Sequence, residues 1–120
     1  MRLLLDTHTF LWFVLDDPQL SKLVADLIED AGNEIFLSIV SLGKLTLAQP
    51  IELFLPDQLQ RSGIQTLPAS LPHTLKVATL PFHHRDPFDR LLIAQSLVEG
   101  MPVISIDAVL DLYGITRLWQ

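Results

Sequence analysis

Three aspartates that are far apart in the chain occupy places where a folded sheet could bring them together. Asp6 ends the apolar run LLLD, Asp107 ends the apolar run VISID, and Asp89 lies between them in the segment HRDPFDRLLIAQ. If the two runs are neighbouring parallel strands, their carboxyl ends lie at the edge where ligands of open α/β sheets bind. Asp89 would lie in the first turn of the helix that leads into the second run. We therefore expect these carboxylates to form one cluster.

Such a cluster predicts a metal site. Carboxylates packed closely repel one another and become protonated unless a cation neutralises them. Oxygen ligands with open coordination positions suit Mg²⁺ or Mn²⁺. Such an ion lowers the pKa of a bound water and stabilises the charge that develops on a phosphodiester during hydrolysis. Asp6, Asp89 and Asp107 are accordingly the predicted metal ligands and catalytic residues.

Each acid also has a structural interpretation, which stays open at this stage. Asp6 precedes a helix and can act as its N-cap, and Asp107 can be a turn residue. Asp89 can interact favourably with the helix dipole or pair with Arg85. Asp86, which is followed by proline, is expected to be a cap rather than a ligand. The combination of three acids is more specific than any one of them, because the fold would place two at adjacent strand ends.

The histidines are expected to be secondary to the acids. His83 and His84 can contact metal or RNA, but adjacent histidines in a polar loop are more often solvated. His8 and His73 are each isolated in sequence, and we expect structural roles for both.

Two further groups of side chains have a nucleic-acid interpretation and a structural one. Arg85 and Arg90 can contact phosphate, but with so many acids nearby we expect surface ion pairs. Phe10, Trp12 and Phe13 are expected in the core or at a dimer face rather than as a platform for stacked bases.

The elements that must position the acids alternate between short apolar runs and helical segments, with proline and glycine at several boundaries. The predicted strands are Leu3–Leu5, Glu34–Ser38, Ile64–Leu67, Val103–Ile106 and Ile115–Trp119. The predicted helices are Thr9–Leu15, Lys22–Asp30, Ile51–Arg61, Leu71–Leu80 and Pro87–Glu99, with a weaker helical segment over Ser41–Leu47. This alternation predicts an α/β fold, a parallel sheet with helices on both faces.

Composition limits the possible functions. The 120 residues suit one domain spanning 1–120, and 49% hydrophobic residues with 18% charged residues exclude disorder. No apolar run is long enough to span a membrane, and the first one is cut by Asp6, so we expect a cytoplasmic protein. The chain has no cysteine, which leaves oxygen and imidazole ligands for any metal. A net charge of −6 argues against binding nucleic acid by bulk electrostatics.

Four stretches of the chain resemble the PIN domain, and most closely the VapC-type ribonuclease toxins of bacterial toxin–antitoxin pairs. These are LLLDTHTFLWFVLDD, HRDPFDRLLIAQSLVEG, the SID of the fourth strand, and Tyr113–Trp119. The resemblance implies a Rossmann-like five-stranded parallel sheet, a homodimer and an Mg²⁺- or Mn²⁺-dependent endonuclease acting on RNA. It also implies inhibition by a cognate antitoxin. The family's acidic site maps onto Asp6, Asp89 and Asp107.

One part of the family pattern is missing. Relatives usually read SLWEIAIK and then GKL, and the Glu is a metal-site acid, whereas here Ser41–Leu42 runs directly into Gly43–Lys44–Leu45. The simplest alignment is a deletion of about nine residues, roughly two and a half helical turns. The other alignment replaces Glu with Lys44. No Asp or Glu occurs between Glu34 and Glu52, so either alignment predicts weaker metal binding.

Three functions follow from these patterns. The first is a metal-dependent ribonuclease that uses the three aspartates. The second, favoured by the missing Glu, is a catalytically inactive PIN-like module that dimerises and binds an antitoxin. The third is phosphoryl transfer through an aspartyl intermediate at Asp6. It is disfavoured because Asp6-Thr7-His8 lacks the second acid that haloacid-dehalogenase-like phosphatases carry two residues later.

Overall fold

The fold is a parallel sheet with helices on both faces, as the sequence predicts. A computed structural model describes residues 1–38, 51–84 and 86–119. The described residues form a five-stranded sheet in the order β3-β2-β1-β4-β5, with every pairing parallel. The strands are β1 (Arg2–Leu5), β2 (Glu34–Ser38), β3 (Gln65–Leu67), β4 (Val103–Ile104) and β5 (Arg117–Leu118).

Helices connect the strands. They are α1 (Thr7–Val14), α2 (Lys22–Glu29), α3 (Ile51–Ser62), α4 (Leu71–Val77), α5 (Pro87–Glu99) and a 3₁₀ helix (Ala108–Tyr113). Over residues 1–38, 51–84 and 86–119, no helix combines the length and the apolar composition that crossing a bilayer requires. The weak helical segment expected over Ser41–Leu47 lies outside the described residues.

Local signals explain most helix ends. The side chain of Ser21 accepts a hydrogen bond of 3.2 Å from the backbone N–H of Val24, which makes it the N-cap of α2. The carboxylate of Asp86 accepts one of 2.8 Å from the N–H of Phe88, so the predicted cap of α5 is confirmed. Gly100 ends α5 with a φ of 66°, a left-handed conformation that suits glycine.

Several predicted boundaries are wrong, and β5 begins at Arg117 rather than Ile115. Helix α1 begins at Thr7 rather than Thr9, because Asp6 is its N-cap. Helix α4 ends at Val77 rather than Leu80, because the following N–H groups bond three residues back and tighten the chain into turns. Strand β4 ends at Ile104 rather than Ile106, because the chain turns there toward the 3₁₀ helix, which the sequence analysis did not predict.

Both faces of the sheet carry a core, which explains why the first strand is uniformly apolar. Leu3 and Leu5 face one side and Leu4 the other, and all three have no exposed surface. Burial of each such side chain contributes about 2 kcal/mol to folding. Leu3 and Leu5 pack on their face with Phe10, Val24, Ile28, Ile35, Leu37, Ile64 and Ile104. Leu4 packs on the other face with Phe36, Leu80, Leu92, Ile93, Ala94, Met101, Val103, Leu110 and Tyr113.

Strand β1 is the point at which the strand order reverses. It pairs with β2 on one side and with β4 on the other, and Leu5 is opposite both Leu37 and Ile104. The chain therefore leaves the sheet in opposite directions from β1 and β4, which opens a crevice at their carboxyl ends.

Candidate functional site

The three predicted acids line one cleft at the carboxyl ends of β1 and β4. Asp6 directly follows β1, Asp107 follows the turn after β4, and Asp89 lies in the first turn of α5. The cleft has a volume of about 470 Å³ and is lined by Asp6, His8, Trp12, Asp86, Asp89, Ile106 and Asp107. Residues separated by up to a hundred positions are thus brought together by the pairing of two strands.

Asp6 is held by hydrogen bonds to both of its carboxylate oxygens. Its Oδ1 accepts a bond of 2.8 Å from the N–H of Thr9, so the N-cap interpretation and a place in the cleft both hold. Its Oδ2 accepts a short hydrogen bond from the hydroxyl of Ser105. The Thr9 hydroxyl in turn donates to the carbonyl of Ile104 at 3.1 Å, which ties α1 to β4. This carboxylate therefore has a fixed position at the strand end.

Ser105 links the two strand-end acids, a role that the sequence analysis missed. Its hydroxyl donates to Asp6 and accepts a bond of 3.1 Å from the N–H of Asp107. Ser105 is fully buried, and its carbonyl accepts a bond of 3.1 Å from Nη1 of Arg117. A small polar residue between two apolar positions gives little signal in sequence, because its importance depends on which strand lies beside it.

Arg117 anchors this turn and also pairs with an acid outside the cleft. Its Nε and Nη2 donate to the two oxygens of Asp111 at 2.9 and 3.0 Å. These hydrogen bonds hold the pKa of Asp111 below its ordinary value, and they raise the pKa of Arg117 above its own. The pair therefore fastens β5 to the 3₁₀ helix and so supports the turn at Ser105.

Asp89 and Asp107 converge on an imidazole. The Nε2 of His84 lies 3.1 Å from Oδ2 of Asp89 and 3.0 Å from Oδ2 of Asp107. The other oxygen of Asp107 accepts a bond of 3.0 Å from the N–H of Val109 and caps the 3₁₀ helix. One ligand atom from each of His84, Asp89 and Asp107 lies within 4.8 Å of the other two. The three side chains are 20%, 24% and 36% exposed, so the group is held firmly but open to the cleft.

The expectation that His83 and His84 are merely solvated is wrong for His84. The hydroxyl of Tyr113 accepts the backbone N–H of His83 at 3.0 Å and of His84 at 2.7 Å. The ring of His83 packs edge-on against the Tyr113 ring, with centroids 5.2 Å apart. These contacts fasten the loop to the 3₁₀ helix and hold His84 beside Asp89 and Asp107, while His83 stays exposed. The sequence signal was weak, because the contact partner lies 29 residues away in an element that was not predicted.

The other histidines divide differently. The structural role predicted for His73 is confirmed: it is buried, its Nδ1 accepts from the N–H of Ser70 at 3.1 Å, and its Nε2 lies 2.9 Å from Oε1 of Glu99. His8, for which a structural role was also expected, is exposed on α1 and lines the cleft, with its ring 6.0 Å from that of Trp12.

Arg90 has neither of its expected roles. Its side chain is buried, and it donates to the carbonyls of Pro81, Val77 and Leu80 at 2.7, 3.2 and 3.1 Å. The guanidinium also lies 4.2 Å from the centre of the Phe82 ring. A guanidinium offers several donors in a fixed plane, so it satisfies the carbonyls left open where α4 ends. Arg85, the other arginine considered for phosphate or ion pairing, lies outside the described residues.

The aromatic residues of α1 lie partly as expected. Phe10 is fully buried and Phe13 is half-buried against the same core cluster. Trp12 instead lines the cleft, and its ring centre lies 5.9 Å from that of Trp119.

The donor set fits a divalent cation. Asp6, Asp89 and Asp107 line one cleft, and among the described residues the ligand atoms of His84, Asp89 and Asp107 lie within 4.8 Å of one another, while Asp6 is outside that group. Oxygen and imidazole donors are the ligands that Mg²⁺, Mn²⁺ and related ions take in proteins. Residues 41–45, where the family's further acid is missing, lie outside the described residues.

Comparisons with known proteins agree with this fold. The model of the PIN domain matches residues 3–115. The structure of VapBC2 from Rickettsia felis bound to a promoter DNA fragment is similar, with a TM-score of 0.74, 14% identity and 98% of each chain covered. VapBC-1 from nontypeable Haemophilus influenzae gives a TM-score of 0.71 at 12% identity, with 98% of this chain and 97% of that one covered.

A further solved structure, FitAcB from Neisseria gonorrhoeae, gives a TM-score of 0.67 at 18% identity, with 98% of this chain and 96% of that one covered. At such identities the solved structures show a shared fold. A search of curated proteins found no match. Because the family model covers nearly the whole chain, the protein belongs to the PIN domain family.

Proposed function

We propose that this protein is an Mg²⁺- or Mn²⁺-dependent endoribonuclease and the toxin of a type II toxin–antitoxin system. The observation that carries this proposal is the position of Asp6, Asp89 and Asp107 around one cleft at the reversal point of a PIN-family sheet. Helix capping accounts for Asp6 and Asp107 separately, but it does not require that Asp89 share their cleft.

The chain's residues would divide the work at the cleft. Asp89 and Asp107 offer oxygens on either side of the imidazole of His84, and Asp6 supplies a third carboxylate held by Thr9 and Ser105. When bound, the ion would supply an activated water and stabilise the negative charge on the phosphodiester. The acids would hold the ion in the cleft.

RNA is the substrate that this site suits. The partly exposed indole of Trp12 lines the cleft and can contact an unpaired base. With a net charge of −6, the protein cannot rely on bulk attraction for the backbone, so substrate binding would depend on the ion. We therefore expect single-stranded RNA or RNA loops as the target.

An antitoxin and a second copy of the chain are the proposed partners, in the cytoplasm. The similar solved structures are VapBC and FitAcB complexes, which supports a small protein partner. The described surface also carries large apolar side chains that are at least 60% exposed: Met1, Leu23, Leu71, Leu75, Phe82 and Leu112. We expect the partners to bind over these side chains, because association would remove their apolar surface from water.

The direct test is cleavage of labelled RNA by purified protein. We expect cleavage in Mn²⁺ or Mg²⁺ that EDTA stops and that Asp6→Asn and Asp89→Asn abolish. Asp26→Asn is the matched control, because Asp26 is an exposed acid on α2 that does not line the cleft, and it should cleave like wild type. Cleavage that persists in both cleft variants would refute the proposal.

The missing family acid supports a second candidate, the catalytically inactive module. The sequence contains no Asp or Glu between Glu34 and Glu52. If the wild type does not cleave but a variant with a Glu-bearing helical insert after Leu42 does, the deletion explains the inactivity. If neither cleaves while the protein purifies with a small antitoxin, the binding module is the better account.

A further inference from the structure

We propose that His84 is itself a ligand of the divalent ion, so that the centre is a mixed nitrogen–oxygen site that selects Mn²⁺ or Co²⁺ over Mg²⁺. This inference rests on the proposed metal-dependent function and specifies its cofactor. It also gives a role to an imidazole that the three-aspartate site does not use.

The positions of the ligand atoms carry the inference. The Nε2 atom of His84 lies 3.0 Å from an oxygen of Asp107 and 3.1 Å from an oxygen of Asp89. In an octahedral site with metal–ligand distances of about 2.1 Å, neighbouring ligand atoms lie about 3.0 Å apart. All three atoms fall within 4.8 Å of one another, so one ion can contact all of them with small shifts of the side chains.

The proton on the imidazole can move without a large loss. Without an ion, Nε2–H can donate to both carboxylates, while Nδ1 accepts from the N–H of Asp86 at 3.4 Å. An ion at Nε2 requires that nitrogen's lone pair, so the proton of the neutral ring moves to Nδ1. The bond from Asp86, which is weak at 3.4 Å, is then lost, and the ring must turn slightly because Nδ1–H faces the N–H of Asp86.

The backbone of His84 is already fixed in the orientation that a ligand needs. Its N–H donates to the buried hydroxyl of Tyr113 at 2.7 Å, and His83 makes a second bond to the same oxygen. A ligand whose backbone is fixed before the ion arrives loses less conformational freedom on binding. The ring of the neighbouring His83 packs against the Tyr113 ring instead, so the loop presents one imidazole to the two acids.

The nitrogen ligand also determines the metal preference. Mg²⁺ binds oxygen ligands almost exclusively, whereas affinity for sites that contain nitrogen rises from Mn²⁺ to Co²⁺ along the first transition row. Because the sequence lacks the acid expected between Glu34 and Glu52, an imidazole would replace an oxygen ligand instead of adding to a full set.

Calorimetric titration of the metal-stripped full chain with Mg²⁺, Mn²⁺ and Co²⁺ tests this selectivity. We expect wild type to bind Mn²⁺ and Co²⁺ more tightly than Mg²⁺, and His84→Gln to lower the ratio of Mn²⁺ to Mg²⁺ affinity about tenfold or more. Two controls remove other imidazoles: His83→Gln changes the same loop, and His8→Gln changes the cleft wall. Both should keep the wild-type ratio, and an unchanged ratio in His84→Gln would overturn the inference.

Pulsed electron paramagnetic resonance of Mn²⁺ bound to the wild type detects a nitrogen ligand without requiring that any variant fold. The wild type, His8→Gln and His83→Gln should show coupling to a directly bound nitrogen, and His84→Gln should not. Two results would overturn the role of His84. One is Mn²⁺ binding to wild type without nitrogen coupling, and the other is coupling that disappears only in His8→Gln. Either result would leave the proposed function unaffected. If wild type binds none of the three ions, the metal-dependent function falls and this inference falls with it.

Discussion

The hydroxyl of Tyr113 is predicted to control both the stability of the fold and the metal site, and Tyr113→Phe isolates it. The substitution keeps the ring and its contact with His83 but removes the acceptor of two backbone N–H bonds of 3.0 and 2.7 Å. A donor left without a partner costs about 1–3 kcal/mol when water cannot reach it and less when water can. The exposed loop position of His83 lets water replace one bond, so we expect a total loss of about 1–2 kcal/mol.

Thermal unfolding followed by circular dichroism measures this loss. For a domain of this size, about 1–2 kcal/mol lowers Tm by about 4–8 °C. The same variant should weaken Mn²⁺ binding about threefold to tenfold, because His84 and its loop are no longer fixed before the ion binds. Asp26→Asn, on an exposed face of α2, should change neither quantity.

The two readouts together test the reasoning. A Tyr113→Phe protein with wild-type Tm and wild-type Mn²⁺ affinity would show that the hydroxyl does not hold the loop. A lower Tm with unchanged affinity would show that the loop contributes to stability but does not position the site.

Three further predictions concern other contacts. Ser105→Ala removes the hydroxyl that joins Asp6 to the N–H of Asp107, so it should lower Mn²⁺ affinity about threefold to tenfold in calorimetry at a stability cost of about 1–3 kcal/mol. If that variant binds Mn²⁺ with wild-type affinity, Ser105 does not support the metal site. Arg90→Met leaves three carbonyls without their donor and should cost about 2–4 kcal/mol in urea unfolding, and a cost below 1 kcal/mol would contradict this. Asp111→Asn should lower Tm at pH 7. Because the folded-state pKa of Asp111 lies below the ordinary 3.8, the charged carboxylate stabilises the folded protein above that pH. This stabilisation is lost as pH falls through the lowered pKa. The Tm difference between the two proteins should therefore shrink below about pH 4, and a difference that does not change with pH would contradict this.

The sheet and the position of the acids could be predicted from the sequence because both depend on local patterns. The run Leu3–Leu5 has no polar residue, which indicates burial on both faces, and it ends at an aspartate. A second apolar run with the same ending supplied the adjacent strand. The rule that ligands bind at the carboxyl ends of parallel strands then placed Asp6 and Asp107 at one edge.

The residues that complete the site could not be predicted in this way, because their roles depend on contacts between distant segments. His84 lies beside Asp89 and Asp107 because Tyr113 holds its backbone, and Tyr113 is positioned by a 3₁₀ helix without a periodic apolar pattern. Ser105 matters only because β1 lies beside β4. The predictions for Arg90 are wrong because nothing in the neighbouring sequence shows that its guanidinium bonds three carbonyls near the end of α4.

The most direct test of the central claim is anomalous diffraction from crystals of the full chain soaked in Mn²⁺. The claim is that Asp6, Asp89 and Asp107 share one metal-binding cleft. It predicts a strong anomalous peak within coordination distance of carboxylate oxygens of Asp89 and Asp107, with Asp6 bound directly or through water. A peak away from these carboxylates, or no peak in the cleft at saturating Mn²⁺, would contradict it.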